Sequence, residues 1–245
     1  MKRKKDQMAL HLMMLPGMIL LVIFSFIPMF GIVMAFQNYM PARGILKSPW
    51  VGMDNFKFMF QMPDSKQIFI NTITIAVSKI ILSTFVTIIF ALLLNEIKNK
   101  FMKRSIQTIV YLPNFLSWVI LATVVVNIFA YDGPINAVLG AFGIEPILFM
   151  ASNKWFRSVL VVTDVWKGFG YGAIIYLAAL SGIDPGLYEA AAIDGANRFK
   201  RIWHITLPGI LPTIMLVTIM NLPNVLNAGF DQIFNLYNPL VMETS

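Results

Sequence analysis

The chain has 245 residues, of which 58% are hydrophobic and only 13% charged, and its formal net charge is +7. Soluble domains carry about a quarter charged residues, so this composition excludes a soluble globular domain and predicts a polytopic membrane protein surrounded by lipid. The absence of cysteine excludes disulfides and thiolate chemistry. Basic residues lie mainly between apolar segments and form no stripe, so no nucleic-acid partner is expected.

Five apolar segments are long enough to cross a hydrocarbon core of about 30 Å. A basic run precedes the first, as in a signal peptide, but the apolar stretch is far longer than a signal peptide's apolar region. We therefore predict an uncleaved first helix. The predicted all-α bundle has spans at about 9–36, 68–94, 107–130, 158–181 and 206–227.

The lysine and arginine residues orient these spans. Eleven lie before the first span, between the second and third, and between the fourth and fifth, whereas six lie in the alternate loops. Because the face richer in basic residues is cytoplasmic, we predict a cytoplasmic N-terminus. Five spans would then place the region up to Ser245 outside, and we expect a sixth span to be missing from the C-terminus.

Two predicted outer loops contain apolar residues. In the loop 37–67, Phe56, Met59 and Phe60 recur at helical spacing, which predicts a short interfacial helix. We favour a membrane-surface anchor over a ligand site there. The segment 131–157 is interpreted as a similar interfacial or re-entrant excursion.

The predicted cytoplasmic loop 182–205 leads into the segment EAAAIDGANRFKRIWHITLP. Asp184 is suited to cap a helix and Pro185 to begin it, and Gly195 is suited to end it in the left-handed conformation. We predict a short stiff helix at 185–195, whose alanine face allows close approach by a soluble partner. Glu189 would supply one directed charge. The alternative is a plain amphipathic connector.

The spacing in this loop resembles the EAA motif, E-A-A-x3-G-x9-I-x-L-P, of permease subunits of binding-protein-dependent ABC importers. Each position of the motif is present: Glu189, Ala190, Ala191, Gly195, Ile205, Leu207 and Pro208. The segments GMDNFKFMF, Tyr111-Leu112-Pro113 and DVWKGFGYGAIIYLAALSGIDPGLYEAA are similar to those of the carbohydrate and oligosaccharide branch.

The resemblance implies one permease domain over 1–245, with the type I ABC importer transmembrane fold, in the bacterial cytoplasmic membrane. It implies that the 185–195 helix couples to a cytoplasmic ATPase dimer, which binds ATP and magnesium. Further implied partners are a second, different permease subunit, an extracellular solute-binding protein and a carbohydrate. This chain has no G-x-x-x-x-G-K-[ST] loop, so we expect no ATP hydrolysis, no other catalytic residues, no cofactor and no metal site within it.

Glycines recur in the fourth span, at Gly168, Gly170 and Gly172. Such a run could suggest a phosphate-binding loop, but it lies inside an apolar segment. We therefore interpret it as a point of close helix packing or of flexibility.

Polar side chains inside the spans are candidates for the substrate path. Asp164 and Lys167 lie three residues apart on one helical face, with Trp166 and Tyr171 nearby. They are interpreted either as path residues that hold a sugar or as an internal ion pair. For Lys79 in the second span we expect an acidic partner on a neighbouring helix.

Asparagines recur at a spacing of three in the fifth span, at Asn221, Asn224 and Asn227. We slightly favour a cavity lining over a helix–helix contact for them.

The sequence also allows functions other than sugar import. Within ABC importers, an amino acid or phosphate is the main alternative substrate. An ion-coupled secondary transporter could use Asp164 and Lys167, but the complete motif argues against it. A membrane enzyme is remote, because His11 and His204 are isolated and no catalytic motif is present.

Overall fold

The computed structural model describes residues 2–226 and 228–241. These residues are helical, as predicted, apart from turns, loops and one isolated bridge between Gln37 and Trp50. The chain forms two compact units, one ending at Lys66 and the other beginning at Gln67.

The first unit contains a long apolar helical run with irregular geometry. Helix α1 (Lys2–Leu21) continues through a π turn (Val22–Phe26), α2 (Ile27–Met29) and a 3-10 segment (Phe30–Phe36). Pro28 has no backbone N–H, which makes a regular helical ladder impossible at this point. The stretch Leu10–Phe36 is long and apolar enough to span a membrane.

After this run, α3 (Gly44–Lys47) and α4 (Asp54–Gln61) complete the first unit. The α4 helix contains Phe56, where the sequence predicts a short helix. The side-chain amide of Asn55 donates hydrogen bonds to the carbonyls of Ala35 and Gln37, each at 2.9 Å. It thereby satisfies carbonyls at the end of the long run, which have no partner within the helix.

The second unit contains the remaining helices. They are α5 (Ser65–Glu96), which begins just before the unit boundary, α6 (Lys100–Tyr111), α7 (Trp118–Ile128), α8 (Pro134–Ala141), α9 (Asn153–Ser181), α10 (Pro185–Ile193), α11 (Arg198–Arg201), α12 (Leu207–Asn221) and α13 (Phe230–Leu236). Over the described residues of the whole chain, four helical stretches are long and apolar enough to be spans, or five if a bent pair counts as one.

The bent pair differs from the predicted third span at 107–130. Helix α6 begins earlier, and Lys100–Phe115 meets Trp118–Ile128 at 107°. Pro113 lies in the 3-10 turn between them, and the Ser117 side chain caps α7. Lys167 on α9 donates hydrogen bonds to the carbonyls of Pro113 and Asn114, each at 3.3 Å, and to that of Leu116. The lysine therefore satisfies carbonyls that the break leaves without helical partners.

The segment 131–157 contains α8 and folds around a buried amide. The Asn136 side chain donates to the carbonyls of Ala130 and Ile147, each at 2.9 Å, and accepts from the Ile147 N–H at 2.8 Å. Because all three partners are backbone groups, one side chain fixes the path of this loop.

Two apolar clusters form the core of the second unit. One joins residues from α5, α7 and α9 with residues that follow α12, and includes Ile75, Val125 and Leu160. The other joins α5, α9 and α12 through residues such as Ala91 and Ile210. Helices α5 and α9 contribute to both clusters and are therefore the central elements of this unit.

Close packing at Gly170 places α6 against α9. A Cβ atom at Gly170 would lie 2.5 Å from the Val110 carbonyl oxygen, whereas a Cβ at Gly168 would meet nothing within 4 Å. The glycine run therefore includes one position of close helix packing, which is one of the two interpretations made from the sequence.

We predict that Gly170→Ala destabilises the protein and that Gly168→Ala does not. The new methyl group at Gly170 would push against backbone, which cannot rotate away, and overpacking of this kind costs about 1–3 kcal/mol. At Gly168 there is room, and alanine is the better helix former. Thermal unfolding in detergent should show a lower Tm for the first variant only. Equal Tm values would contradict the close approach.

Candidate functional site

The N-terminus of α10 is capped by the residues that the sequence singled out. Asp184 has φ −60° and ψ 120°, and its carboxylate accepts a hydrogen bond from the Gly186 N–H at 2.9 Å. Pro185 occupies the first turn, where its missing N–H breaks no helical hydrogen bond. Local sequence alone therefore sets where this helix begins.

The C-terminus of α10 closes around Gly195. This residue has φ +72°, and its N–H donates to the Ala192 carbonyl at 3.2 Å, while the Ala196 N–H donates to the Ala191 carbonyl at 2.8 Å. This pair of hydrogen bonds is the Schellman arrangement, which favours glycine because a side chain disfavours positive φ. The helix ends at Ile193, two residues before the end of the predicted 185–195 helix.

The surface of α10 is open and mostly small or apolar. Glu189, Ala190 and Ala192 are exposed, Ala191 is half-buried, and the Ile193 side chain is 88% exposed. A capped helix with this surface is suited to insertion into a cleft on another protein, because its exposed alanines allow close approach to the backbone.

The second half of the motif leads into α12. Asn197 caps α11 by accepting from the Lys200 N–H at 2.9 Å, and a π turn (Ile202–Thr206) connects α11 with α12. Leu207 packs on the apolar cluster that joins α5, α9 and α12, and Ile205 is half-buried. Pro208 lies in the first turn of α12, directly after the π turn, and its missing N–H interrupts the helical hydrogen-bond ladder there.

Two contacts join α10 and the turn before it to the start of α12. The Tyr188 hydroxyl lies 3.0 Å from Thr206 Oγ1. Ile183 is close to Gly209, where a Cβ atom would lie 2.9 Å from Ile183 Cδ1. Neither contact was predicted from the sequence, because each joins residues that are distant along the chain.

A polar cavity of about 250 Å³ lies in the second unit. Asp164 from α9 and Asn221 and Asn224 from the end of the fifth span contribute to its lining, so the structure brings these three predicted path residues together. The full lining consists of Ala76, Lys79, Ile80, Ser83, Asp164, Asn221, Asn224, Ala228 and Gly229.

Lys79 forms the charged wall of this cavity. Lys79 is only 6% exposed. Its ammonium group donates hydrogen bonds to the Ala228 carbonyl at 2.8 Å and to Gln232 Oε1 at 2.5 Å. Asp164 Oδ1 lies 3.4 Å from the same nitrogen. The expectation of an acidic partner for Lys79 on a neighbouring helix is thus confirmed. These acceptors compensate a cation that would be costly to bury alone.

Gln232 was not identified from the sequence, although it is fully buried. Its amide nitrogen donates to the Leu160 carbonyl and to Thr163 Oγ1, each at 2.8 Å, so both ends of the amide are satisfied. Gly229 has φ +85°, and a Cβ atom there would lie 2.7 Å from the Lys79 ammonium nitrogen. In the sequence, the glycine between apolar residues after the fifth span is the feature that could have predicted this turn.

Three other predicted path residues lie away from the cavity lining. Lys167 donates to the carbonyls of the α6–α7 bend and lies 5.5 Å from the Trp118 ring, so the alternative of an Asp164–Lys167 ion pair is replaced by Asp164–Lys79. Trp166 is exposed, and Tyr171 packs edge-on against Phe115 at 5.9 Å. Asn227 lies outside the described residues.

Comparison with known proteins identifies the family. Residues 83–230 match the family model for the binding-protein-dependent transport system inner membrane component. Two relatives come from Bacillus subtilis (strain 168). Protein LplB is 41% identical, and the match covers 97% of this chain and 74% of LplB. The polygalacturonan/rhamnogalacturonan transport system permease protein YteP is 40% identical, and the match covers 95% of this chain and 73% of YteP.

A solved structure of a bacterial alginate ABC transporter, in complex with an alginate pentasaccharide-bound periplasmic protein, is also similar. It matches 99% of this chain and 81% of its own chain, with a TM-score of 0.86 and 36% identity. The match includes both the capped α10 segment and the helices around the cavity. The chain therefore belongs to the family of inner-membrane permease components of binding-protein-dependent ABC importers.

Proposed function

We propose that this chain forms half of the translocation path of an ATP-driven importer for an oligosaccharide. The observation that carries the proposal is α10, a helix capped at both ends and exposed along its small-residue surface in a chain otherwise built for lipid. The substrate class is supported by the carbohydrate names of YteP and of the alginate transporter.

The cavity supports a sugar as the transported group. Asn221 and Asn224 supply amide donors and acceptors, and Asp164 supplies a carboxylate that Lys79 neutralises. Such groups can exchange hydrogen bonds with sugar hydroxyls without requiring a charged ligand. A volume of about 250 Å³ is small for an oligosaccharide. We infer that a second, different permease subunit provides the other half of the path.

The remaining partners follow from the position of α10. We propose that Glu189 contacts a basic group on a cytoplasmic ATPase dimer, that Ala190 and Ala191 permit close packing in its cleft, and that ATP and magnesium bind only there. The basic residues beside α10 favour a cytoplasmic location for it, which gives a cytoplasmic N-terminus in a bacterial membrane. A solute-binding protein would deliver the sugar from outside.

The alternatives make different demands on the chain. An amino-acid or phosphate importer would use the same α10 but another cavity chemistry, and direct transport assays distinguish these substrates. An ion-coupled secondary transporter would need no ATPase. Asp164 and Lys167, which such coupling would use, instead contact Lys79 and the helix bend, respectively.

We predict that Gly195→Pro lowers ATP-driven transport by more than about tenfold. Proline cannot adopt the positive φ of this position and cannot donate the hydrogen bond to the Ala192 carbonyl. The end of α10 would therefore be remodelled. Transport and ATP hydrolysis should be measured on the complete importer reconstituted in proteoliposomes.

The matched control is Gly195→Asn, because asparagine tolerates the left-handed conformation at helix ends. This variant should keep most of the transport activity. If Gly195→Pro transports at the normal rate, the proposed coupling through α10 is wrong.

We predict that Asn221→Leu lowers transport by about threefold to tenfold, the effect expected for one lost hydrogen bond to the substrate. The two side chains have the same number and branching of heavy atoms, so the bundle should remain folded. The assay uses saturating oligosaccharide-loaded binding protein and compares transport with ATP hydrolysis.

Met220→Leu serves as the control, because the neighbouring Met220 is 69% exposed and is absent from the cavity lining. It should leave transport unchanged. Equal transport by the Asn221 variant and the normal protein would exclude this cavity from the substrate path.

A further inference from the structure

The hydrogen bond between Tyr188 and Thr206 joins the middle of α10 to the residue immediately before α12. The two oxygens are 3.0 Å apart, Thr206 is only 5% exposed, and Tyr188 is half-buried. A hydrogen bond shielded in this way competes less with water than one on an open surface.

The direction of this bond follows from the number of hydrogen atoms available. Thr206 Oγ1 also donates to the Arg201 carbonyl at 3.3 Å, five residues earlier, across the π turn. A threonine hydroxyl has one hydrogen atom, so Thr206 accepts the hydroxyl hydrogen of Tyr188. The sequence of bonds runs from Tyr188 through Thr206 to Arg201, and it connects α10, the π turn and α11.

Helix α12 extends from this point to the cavity. It begins at Leu207, directly after Thr206, and ends at Asn221, which lines the cavity. Fifteen residues at about 1.5 Å each make the helix about 22 Å long. A displacement applied at Thr206 can therefore reach the cavity along one element.

The other contact between these elements is of a different kind. Ile183 lies against Gly209 through apolar atoms, and such a contact has no preferred direction. The hydroxyl pair has a defined distance and angle. It is therefore the contact that fixes the register of α10 relative to α12.

We propose that Tyr188 and Thr206 are positioning residues that transmit the movement of α10 to α12 and so couple ATP hydrolysis to opening of the cavity. This inference rests on the proposed function of α10 as the docking helix. Tyr188 acts through Thr206 and not by contact with the substrate.

The test compares Tyr188→Phe, Thr206→Val and Thr206→Ser in the complete reconstituted importer, with transport per ATP hydrolysed as the readout. Loss of one hydrogen bond should lower this ratio by about threefold to tenfold in the first two variants. Thr206→Ser keeps the hydroxyl and should show the normal ratio of transport to ATP hydrolysed. The double variant Tyr188→Phe/Thr206→Val should lose less than the product of the two single effects, because both remove the same bond.

Tyr176→Phe is the matched control. Tyr176 lies in the apolar cluster that joins α5, α9 and α12, and its buried hydroxyl has no hydrogen-bond partner within the part of the chain that the structure describes. Its removal should leave the transport ratio normal. A merely structural role for Tyr188 would lower its Tm or the amount of assembled complex without changing transport per ATP.

Two outcomes overturn the inference: a normal ratio in Tyr188→Phe, or a ratio in Thr206→Ser as low as in Thr206→Val. Failure of the proposed function itself would look different. In that case the unmodified complex would transport oligosaccharide without ATP, or would not transport it at all.

Discussion

The arrangement of the second unit depends on the burial of one cation, the ammonium group of Lys79. A charge so nearly removed from solvent must be compensated by nearby acceptors. Its acceptors are Asp164 on α9, the Ala228 carbonyl in the turn after the fifth span and Gln232 on α13. Ala228 and Gln232 lie 149 and 153 residues further along the chain than Lys79. Satisfying Lys79 therefore fixes three distant segments together and creates the wall of the cavity.

The same requirement explains the residues around this cation. Gly229 leaves the space that the ammonium group occupies, and Gln232 uses its second end to bind α9. The partners of Asp164 and Lys167 are consequently separate: one residue serves the cavity and the other serves the bend between α6 and α7. Two charges three residues apart thus have different structural roles.

The cavity and α10 are linked by geometry as well as by sequence. Helix α12 begins beside Tyr188 and ends at Asn221, so the two regions lie at opposite ends of a single element. A hydrogen bond joins Thr206, the residue before α12, to Tyr188 on α10, and apolar packing on α9 supports α12 along its length.

Local features could be predicted from the sequence because they depend on neighbouring residues. The apolar runs follow from the need to contact lipid, and the cap at Asp184 and the turn at Gly195 follow from backbone preference. The motif spacing identifies the family. Tertiary structure decided which polar side chains meet. Asp164 could have paired with Lys167 on its own helix, and only helix packing brought Lys79 closer. Buried polar groups find hydrogen-bond partners on whichever segments pack against them. The role of Gln232 and the Tyr188–Thr206 hydrogen bond could therefore be recognised only in the folded chain.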